Sequence, residues 1–590
     1  MFKIIVFLLS VAFLEVALYA LFLHIGIMKD IFNLVVYKEY FNEYLILSLL
    51  FILLFKRNKI LDFILMAFLG LILLIDFIQF IAYFYSGSFL TLDALDNANQ
   101  ALLFFNKYIL IACFIFVLIY GLAIFLSVKI KNVTKKERIY AFLFVVSLVI
   151  INFYTYYKNK NKNLIFDEFA VEKGPVLSFI KTLHQYFSPI KITNVNLSEE
   201  EKEFAVKNNL IVNFNSQYPL MKSFFYKRKL EGNHLEGKPN ILIFFVESLS
   251  AKYVDVYSNN SNKITPNLDK LAKKGFFVKN YINHTFPTIR ALYGQLCSVY
   301  PEYRTKEVVD DYNGYKFYNL KCLPEYLNEY GYNTIYFNHG NKKRQEIGRL
   351  TEKYGFKKRF FNLDLEKLLN EKPMAALDKD FSDQQMARAV IKFLKNYHSK
   401  KPFFIAVSTI ETHIGYQLRD DAVKKEGFDE KLNTYYNLDN ALGKVFNYIE
   451  NSKFAKNTII IVTGDHVRPE KDKKYHSTTY GDLALIIYSP FFATKPFYAN
   501  TSSIDLAPTI LHLINYPNKI NAFEGRSIFE RNNSLAIGAT LENGMFYAKF
   551  KGYEILKSSQ FDKPKTKLEK YIYDIIHYIY YLQRTDRLLK

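Results

Sequence analysis

The chain is 590 residues long, has 77 Lys and Arg against 56 Asp and Glu for a formal net charge of +21, and holds 55 Phe, 46 Tyr, 3 Cys and no Trp. So few cysteines exclude a disulfide-dense scaffold, and with no Cys-x-x-Cys pair nothing suggests a zinc finger. The mean hydropathy of −0.02 would suit a soluble protein, yet it averages two unlike parts: residues 1–157 carry 21 charged side chains and the remaining 433 carry 112. A chain divided in this way is neither wholly soluble nor wholly embedded in a bilayer.

Apolar runs occur at 4–24, 60–84, 108–128 and 139–157, with a shorter one at 43–55. A bilayer-crossing helix needs about 20 apolar residues, so residues 1–157 are expected to form a five-helix transmembrane domain. The first run is too long, and lacks the small-residue cleavage site, to read as a removed signal peptide. The loops with Lys56, Arg57 and Lys59, and with Lys129, Lys131, Lys135, Lys136 and Arg138, carry the basic excess; the alternate loops hold Lys29, Lys38 and Lys107. That asymmetry puts the N-terminus in the cytoplasm and everything after residue 157 outside. Glu15 and Asp76 fall within expected spans, where an ionisable group either lines a substrate or proton path or simply snorkels or bonds a neighbouring helix.

Residues 158–238 open on Lys-Asn repeats and contain a helix start at Ser198 followed by Glu199, Glu200 and Glu201; they read as a helical linker at the membrane surface. From Pro239 the pattern changes. Short apolar runs at 241–246, 334–337, 403–408, 458–463 and 483–488 alternate with amphipathic stretches such as 266–275 and 322–331. Continuous apolar strands between helices predict an exported α/β domain with a mainly parallel sheet flanked by helices, covering 239–530, with 531–590 as its C-terminal extension.

The residues directly after these strands carry the chemistry. The run at 241–246 leads into Glu247, 334–337 into Asn338-His339-Gly340-Asn341, 403–408 into Glu411-Thr412-His413, and 458–463 into Gly464-Asp465-His466. Open α/β sheets bind ligands at the carboxyl ends of their strands, so carboxylates and imidazoles are delivered to one rim. One Glu or His after a strand is most often a cap or a satisfied surface group; several together point to a divalent metal with mixed O/N ligands, Mn²⁺ or Zn²⁺. With no thiolate set, such a metal would be catalytic, and a hydroxyl beside it would ionise at neutral pH without a separate strong base. Pro287-Thr288 before an apolar-periodic run reads as a helix start, with Thr288 in the first turn as either nucleophile or simple cap.

At this point the residues resemble a known family. PNILIFFVESLS (239–250), ITPNLDKLAKKG (264–275), the threonine at a helix start, the Gly-Asp-His after a strand and SSIDLAPTILHLI (502–514) are similar to the alkaline phosphatase (sulfatase-like) superfamily. Five N-terminal spans with an exported domain, FPTIRALYGQLCS (286–298), FNHGN (337–341) and STIETH (408–413) resemble its lipoteichoic acid synthase and phosphoglycerol or phosphoethanolamine transferase group. The resemblance implies Glu247, Thr288, Asp465 and His466 as ligands of one divalent metal, Thr288 as the catalytic nucleophile, and His339 and His413 as substrate-binding histidines. The family also uses an arginine shortly after the HGN element; Arg344 and Arg349 bracket that place. His476 is a further candidate phosphate contact or a solvated loop histidine. Two departures stand out: Val467 follows the Asp-His pair where glycine is common, and a Trp contact of some relatives has no counterpart.

The resemblance implies a two-step transfer. Thr288 attacks the phosphorus of a phospholipid head group, phosphoglycerol or phosphoethanolamine, and an envelope glycan, lipid or polymer hydroxyl then displaces it. The expected setting is the bacterial cytoplasmic (inner) membrane, with the protein integral to it and the catalytic domain in the periplasm. Residues 158–590 carry 65 basic and 47 acidic side chains, a charge of +18 suited to an anionic leaflet and phosphate substrates; extracytoplasmic placement argues against nucleic acid. Two rival readings are a sulfatase-like ester hydrolase and a non-catalytic envelope-assembly protein. The first needs a Cys or Ser followed by Pro or Ala at +2 and Arg at +4, which neither Thr288 nor Cys297 satisfies; the second would show as loss of Thr288 or a ligand. Cys297 and Cys322 either bridge, which an oxidising periplasm permits, or remain buried thiols, and Cys113 packs inside a span.

Overall fold

The computed structural model describes residues 195–223 and most of 237–589, less 259–262, 302–319, 344–346, 375–379, 414–417, 469–480, 492–496, 539–544, 559–565 and a few positions besides; elsewhere only isolated positions of 60–79, 134–139 and 179–183 are described. The expected membrane spans, with Glu15, Asp76 and Cys113, lie outside the described residues apart from such isolated positions, and among the described residues no helix is long and apolar enough to cross a membrane. Met1–Pro189 with Glu470–Ser477 makes one compact unit; Ile190–Pro469 with Thr478–Lys590 makes the other.

The second unit is a sheet between two helical layers. Its strands are β1 (Asn240–Val246), β2 (Phe276–Ile282), β3 (Asn333–Asn338), β4 (Lys358–Phe360), β5 (Phe403–Ser408), β6 (Thr458–Gly464), β7 (Leu485–Tyr488) and β8 (Phe497–Ser502), in the order 4-3-5-1-6-7-2-8. Parallel pairing links β4, β3, β5, β1 and β6, and also β2 with β8; β7 alone runs antiparallel to both its neighbours. The apolar run at 483–488 therefore forms a strand as expected, but one of opposite direction.

Why these runs sit in the middle is visible in β1. Ile241, Ile243 and Phe245 face one hydrophobic cluster; Leu242, Phe244 and Val246 face the other, and all six are buried. A strand covered on both faces has no polar side, which is why the sequence shows a run and no alternation. One face is covered by α2 (Pro266–Lys274), α5 (Asp383–Lys395) and α6 (Glu430–Glu450). The other is covered by α3 (Thr288–Cys297), α4 (Leu323–Glu329), α7 (Leu506–Leu513) and α8 (Lys567–Arg584).

Residues assigned to the linker and to the C-terminal extension close this second face together. Ser198 caps α1 (Glu199–Lys207) through a reciprocal pair: Glu201 N–H donates to Ser198 Oγ at 3.3 Å, and Ser198 N–H to Glu201 Oε2 at 2.8 Å. Ala205 of α1 is fully buried, Phe204 packs on Tyr571 of α8 at 5.4 Å, and Lys570 pairs with Glu201. A small antiparallel sheet of β9 (Ala536–Gly538), β10 (Met545–Phe550) and β11 (Tyr553–Ser558) precedes α8, held to β8 by Ser502 Oγ donating to the Ile537 carbonyl at 2.7 Å. Cys297, ending α3, and Cys322, preceding α4, are joined by a disulfide with Cα atoms 4.0 Å apart.

At the start of α2 a buried carboxylate from another element takes the place of a local cap. Thr265 makes no side-chain cap; Asp439 of α6 instead accepts from the N–H of Asn267 at 2.9 Å, the N–H of Leu268 at 2.8 Å and Asn267 Nδ2 at 2.8 Å. Asp439→Ala leaves buried donors unmatched and is expected to destabilise this unit by about 2–3 kcal/mol, seen as a lower thermal midpoint.

Candidate active site

The strand order 3-5-1-6 sets four successive carboxyl ends side by side, so His339, the 409–413 loop, Glu247 and Asp465-His466 line one rim. Onto it α3 presents Thr288 as its first residue, after a cis Phe286–Pro287 bond. Thr288 Oγ1 donates to Glu247 Oε2 at 3.1 Å and lies 3.4 Å from His466 Nε2. His466 Nε2 is 3.4 Å from Glu247 Oε1 and 3.6 Å from Asp465 Oδ2. One ligand atom each from Glu247, Asp465 and His466 fall within 4.8 Å of one another, all three residues being buried.

Backbone geometry holds these groups together. Ser248 stands at φ +55°, a left-handed conformation unusual for serine. Its N–H donates to Asp465 Oδ1 at 2.8 Å and its hydroxyl to Glu247 Oε1 at 2.8 Å, so one residue orients both carboxylates. Asp465 Oδ1 also accepts the His466 N–H at 2.6 Å. The 409–413 loop brackets Glu247: its N–H donates to Thr409 Oγ1 at 3.2 Å, and Thr412 Oγ1 donates to its carbonyl at 2.5 Å. Gln295 of α3 donates to the carbonyls of Gly464 (3.1 Å) and Asp465 (2.7 Å), locking the helix that bears Thr288 to the Asp465-His466 loop. Gly464 is obligatory there, since a Cβ would come within 2.7 Å of the Leu249 carbonyl oxygen.

The electrostatics are those of a cation site. Burial, and then the charge of Glu247, push the Asp465 carboxyl up to about 7. Burial would raise Glu247 as well, but the imidazoles of His466 and His413 and hydrogen bonds from Ser248 and Thr288 outweigh it and hold Glu247 below the ordinary range. Burial works against the His466 imidazolium, yet the carboxylates of Asp465 and Glu247 raise it above the usual histidine value. Among the described residues, no Lys or Arg pairs with Glu247 or Asp465. His466 Nδ1 meets the Val467 carbonyl at 2.9 Å and so carries the proton, leaving Nε2 as a lone-pair donor aimed at the carboxylates. Two carboxylates, a hydroxyl and a pre-oriented imidazole with a carbonyl behind it fit a divalent ion of the Mn²⁺ or Zn²⁺ kind.

The other expected residues are placed unequally. His413 is half-buried and close enough for its charge to act on Glu247. His339 is buried, with Nδ1 3.7 Å from Asp380 Oδ1. Arg349 is half-buried on the helix Ile347–Lys353, while Arg344 and His476 lie outside the described residues. Sequence reasoning missed Ser248, Thr409, Gln295, and Phe286, whose ring stands edge-on to His466 at 4.7 Å. These act through single hydrogen bonds to carboxylates or backbone atoms, or through ring contacts, and no spacing rule reports them. Val467, the departure from the expected glycine, is buried and contributes through its carbonyl.

A family model described as Sulfatase matches residues 239–516, the stretch that holds Glu247, Thr288, Asp465 and His466. Residues 239–516 are thus similar to a sulfatase domain. It is 24% identical over 340 residues to phosphoglycerol transferase I of Xanthomonas euvesicatoria pv. vesicatoria (strain 85-10), covering 54% of this chain and 47% of that protein. It is 23% identical over 376 residues to lipoteichoic acid synthase 2 of Bacillus subtilis (strain 168), covering 57% and 55%. The chain thus spans about half the length of these curated relatives. A solved alkaline phosphatase superfamily protein from Vibrio parahaemolyticus superposes with a TM-score of 0.53 at 17% identity, over 67% of this chain and 98% of that one, and shares the fold.

Ser248→Ala removes the hydroxyl that orients Glu247 while keeping the backbone bond to Asp465. It is expected to weaken Mn²⁺ binding by about tenfold in a metal-buffered titration, with little change in the thermal midpoint of the metal-free protein.

Proposed function

We propose that the protein is a membrane-anchored phosphotransferase that moves a phosphoglycerol or phosphoethanolamine group from a phospholipid, through a phosphothreonine at residue 288, to a hydroxyl of a cell-envelope glycan, lipid or polymer. The observation that carries this reading is Thr288 Oγ1, 3.1 Å from Glu247 and 3.4 Å from His466, on the rim of a cation site. The relatives named phosphoglycerol transferase and lipoteichoic acid synthase support the transferred class.

Glu247 receives the hydroxyl's hydrogen bond and leaves an oxygen lone pair facing outward for attack. Thr288 Oγ1 bonds to phosphorus, the phosphorus–oxygen bond to diacylglycerol breaks, and that alkoxide takes up the proton given by the threonine. His413 and His339 sit on the same rim and supply donors for the phosphoryl oxygens. An acceptor hydroxyl then bonds to phosphorus, the Thr288 bond breaks and the threonine recovers a proton. A divalent ion held by Glu247, Asp465, His466 and Thr288 supplies the positive charge that acidifies the threonine and neutralises the phosphate. The apolar first quarter supports a cytoplasmic-membrane anchor with the catalytic unit outside, where a lipid head group is presented at the bilayer surface.

The sulfatase-like alternative is disfavoured by two observations. A threonine, which has no route to formylglycine through a Cys or Ser side chain, occupies the nucleophile position, and Cys297 is bonded to Cys322. A non-catalytic binding role is disfavoured by retention of the whole ligand set.

The deciding experiment incubates the purified full chain with Mn²⁺ and a phosphatidylglycerol–phosphatidylethanolamine mixture, and weighs the peptide containing Thr288. The added mass of one head-group phosphate is expected, and its value tells glycerol from ethanolamine; an unmodified peptide with intact lipid refutes the reading. Thr288→Ala is expected to lower diacylglycerol release by more than about 10³-fold. Chelation is expected to abolish release, with recovery on adding Mn²⁺ or Zn²⁺.

A further inference from the structure

Residues 380–383, the turn that leads into α5, touch both histidine loops of the rim. The Phe381 N–H donates to the His339 carbonyl at 3.1 Å, and Asp380 Oδ1 lies 3.7 Å from His339 Nδ1. Ser382 caps α5 by accepting the Gln385 N–H at 3.0 Å. Asp383, the first residue of α5, is bonded to the 409–413 loop in both directions. Its N–H donates to Glu411 Oε2 at 2.7 Å, and its Oδ1 accepts the Ile410 N–H at 3.3 Å. Asn437 of α6 gives Glu411 Oε2 a second donor at 3.0 Å.

The loop held by this joint is tied to the candidate site at several points. Thr409 and Thr412 bracket Glu247, the Thr412 carbonyl accepts from Arg468 Nη1 at 2.5 Å, and His413 comes next. Through Glu411, the helical layer on one face of the sheet therefore sets where His413 stands.

The joint is made of two acids with no base. Asp383 and Glu411 are 3% and 0% exposed, and Asp383 Oδ2 and Glu411 Oε1 are buried without a hydrogen-bond partner. Among the described residues no Lys, Arg or His forms an ion pair with either. The charged groups around them are Asp421, Arg388 and Arg419. Asp421 accepts from Ser382 Oγ at 2.8 Å and lies 3.5 Å from Arg388 Nη1, and Arg388 is drawn also to Glu371 at 2.8 Å. From α6 come the neutral Asn437 and Lys444, which bonds Gln384. Burial, then the charge of Glu411, raises the Asp383 carboxyl well above its ordinary range, against the amides of Ile410 and Glu411. Burial likewise raises Glu411 against the Asp383 N–H, with the charge of Asp421 adding to it and that of Arg419 opposing. Two buried carboxyls placed together without a cation do not both ionise. A proton on one of them removes the repulsion across the joint; loss of that proton to solvent sets like charges against each other where the loop meets the helix.

We propose that Asp383 and Glu411 are positioning residues for His413 that hold one proton between them, and that this proton keeps the 409–413 loop seated on the rim. When the loop is unseated its carboxyls regain ordinary acidity. The hold is therefore complete below the ordinary carboxylate range and declines as pH rises from there towards the raised range of the pair. The site grips a phosphodiester less firmly as the medium turns alkaline. That last consequence rests on the transfer reading above; the joint does not.

Hydrogen–deuterium exchange of the full chain in detergent, without added metal, tests the joint between about pH 6 and 9, each rate being corrected for intrinsic exchange. Protection of the peptide spanning 409–413 is expected to fall at least about tenfold over that range, while that of β7 is unchanged. In Asp383→Asn/Glu411→Gln, which keeps both shapes and neither charge, the fall is expected to be less than about threefold. Should the double variant not fold, Glu411→Gln alone carries the comparison, with a fall smaller than in the unaltered chain. Protection that is flat with pH in the unaltered chain, or that falls as steeply in the variant, overturns the joint. The tie to His413 is read from the affinity of the Mn²⁺-loaded chain for dimethyl phosphate, a diester that stays a monoanion throughout. The ratio of affinities, unaltered chain over double variant, is expected to drop at least about threefold between about pH 6 and 8, since every other titration at the site is common to both. A ratio that stays constant overturns the positioning role. A chain that meets both expectations yet forms no Thr288 adduct from phospholipid retains the joint and loses only the transfer reading.

Discussion

Two buried carboxylates placed against each other are the constraint on which the rest of this unit depends. Glu247 and Asp465 leave the ends of adjacent parallel strands, β1 and β6, whose register pairs Val246 with Gly464. Their proximity is a consequence of strand pairing, and it is unfavourable by itself: burial and mutual repulsion drive the Asp465 carboxyl up to about 7. The surrounding residues answer it with positive charge and donors. Ser248, in a strained backbone conformation, gives one donor to each carboxylate, and the His466 imidazole, whose protonated form the two carboxylates favour, stands 3.4 Å from Glu247 and 3.6 Å from Asp465. A divalent cation held there would relieve that repulsion, with the Thr288 hydroxyl at its edge.

The same constraint accounts for the closeness of the packing around the site. Gln295 commits its amide hydrogens to the carbonyls of Gly464 and Asp465, Phe286 seals the edge of His466, and Gly464 has no room for a methyl group. The first two join α3 and the residues just before it to the Asp465-His466 loop, and the third packs that loop against Leu249. Movement of α3 relative to β6 would change the Thr288–His466 distance, and in such a site displacements of an ångström alter rates strongly. The Cys297–Cys322 bridge ties the far end of α3 to α4, so the helix bearing Thr288 is held at both ends.

The central strands were legible because their surroundings are extreme. A run such as ILIFFV has no polar face, and only a strand covered on both sides tolerates that; the expected limits of 241–246 and 403–408 differ from the observed elements by one residue at most. Strand β2 was not read, since its exposed Lys279 and half-buried Asn280 break the apolar pattern while its ends remain buried. Residues 195–223 read as linker because α1 is acidic and short; its few apolar side chains find their partners in α8, more than 360 positions away. Of the candidate site, Glu247, Thr288, Asp465 and His466 were legible as polar residues directly after strands or at a helix start. Gln295 and Arg468 were not, because they act on backbone atoms of loops distant in sequence, and Ser248 was not, because its role depends on a left-handed backbone and on Asp465, 217 positions away.

The division between an apolar first quarter and a charged, basic remainder is a property of the sequence alone, as is the alternation of strands and helices that makes the domain α/β. Composition and periodicity determine both, since each reports which surfaces must be hidden from water. Only the tertiary structure decided that two carboxylates and an imidazole lie within 4.8 Å of one another with the Thr288 hydroxyl 3.1 Å from Glu247 and 3.4 Å from His466, and that Lys252 and Lys431 both stand over the Tyr253 ring. Those juxtapositions depend on strand order and register, which bring together residues separated by up to some 220 positions, and no local pattern encodes a distance of that kind.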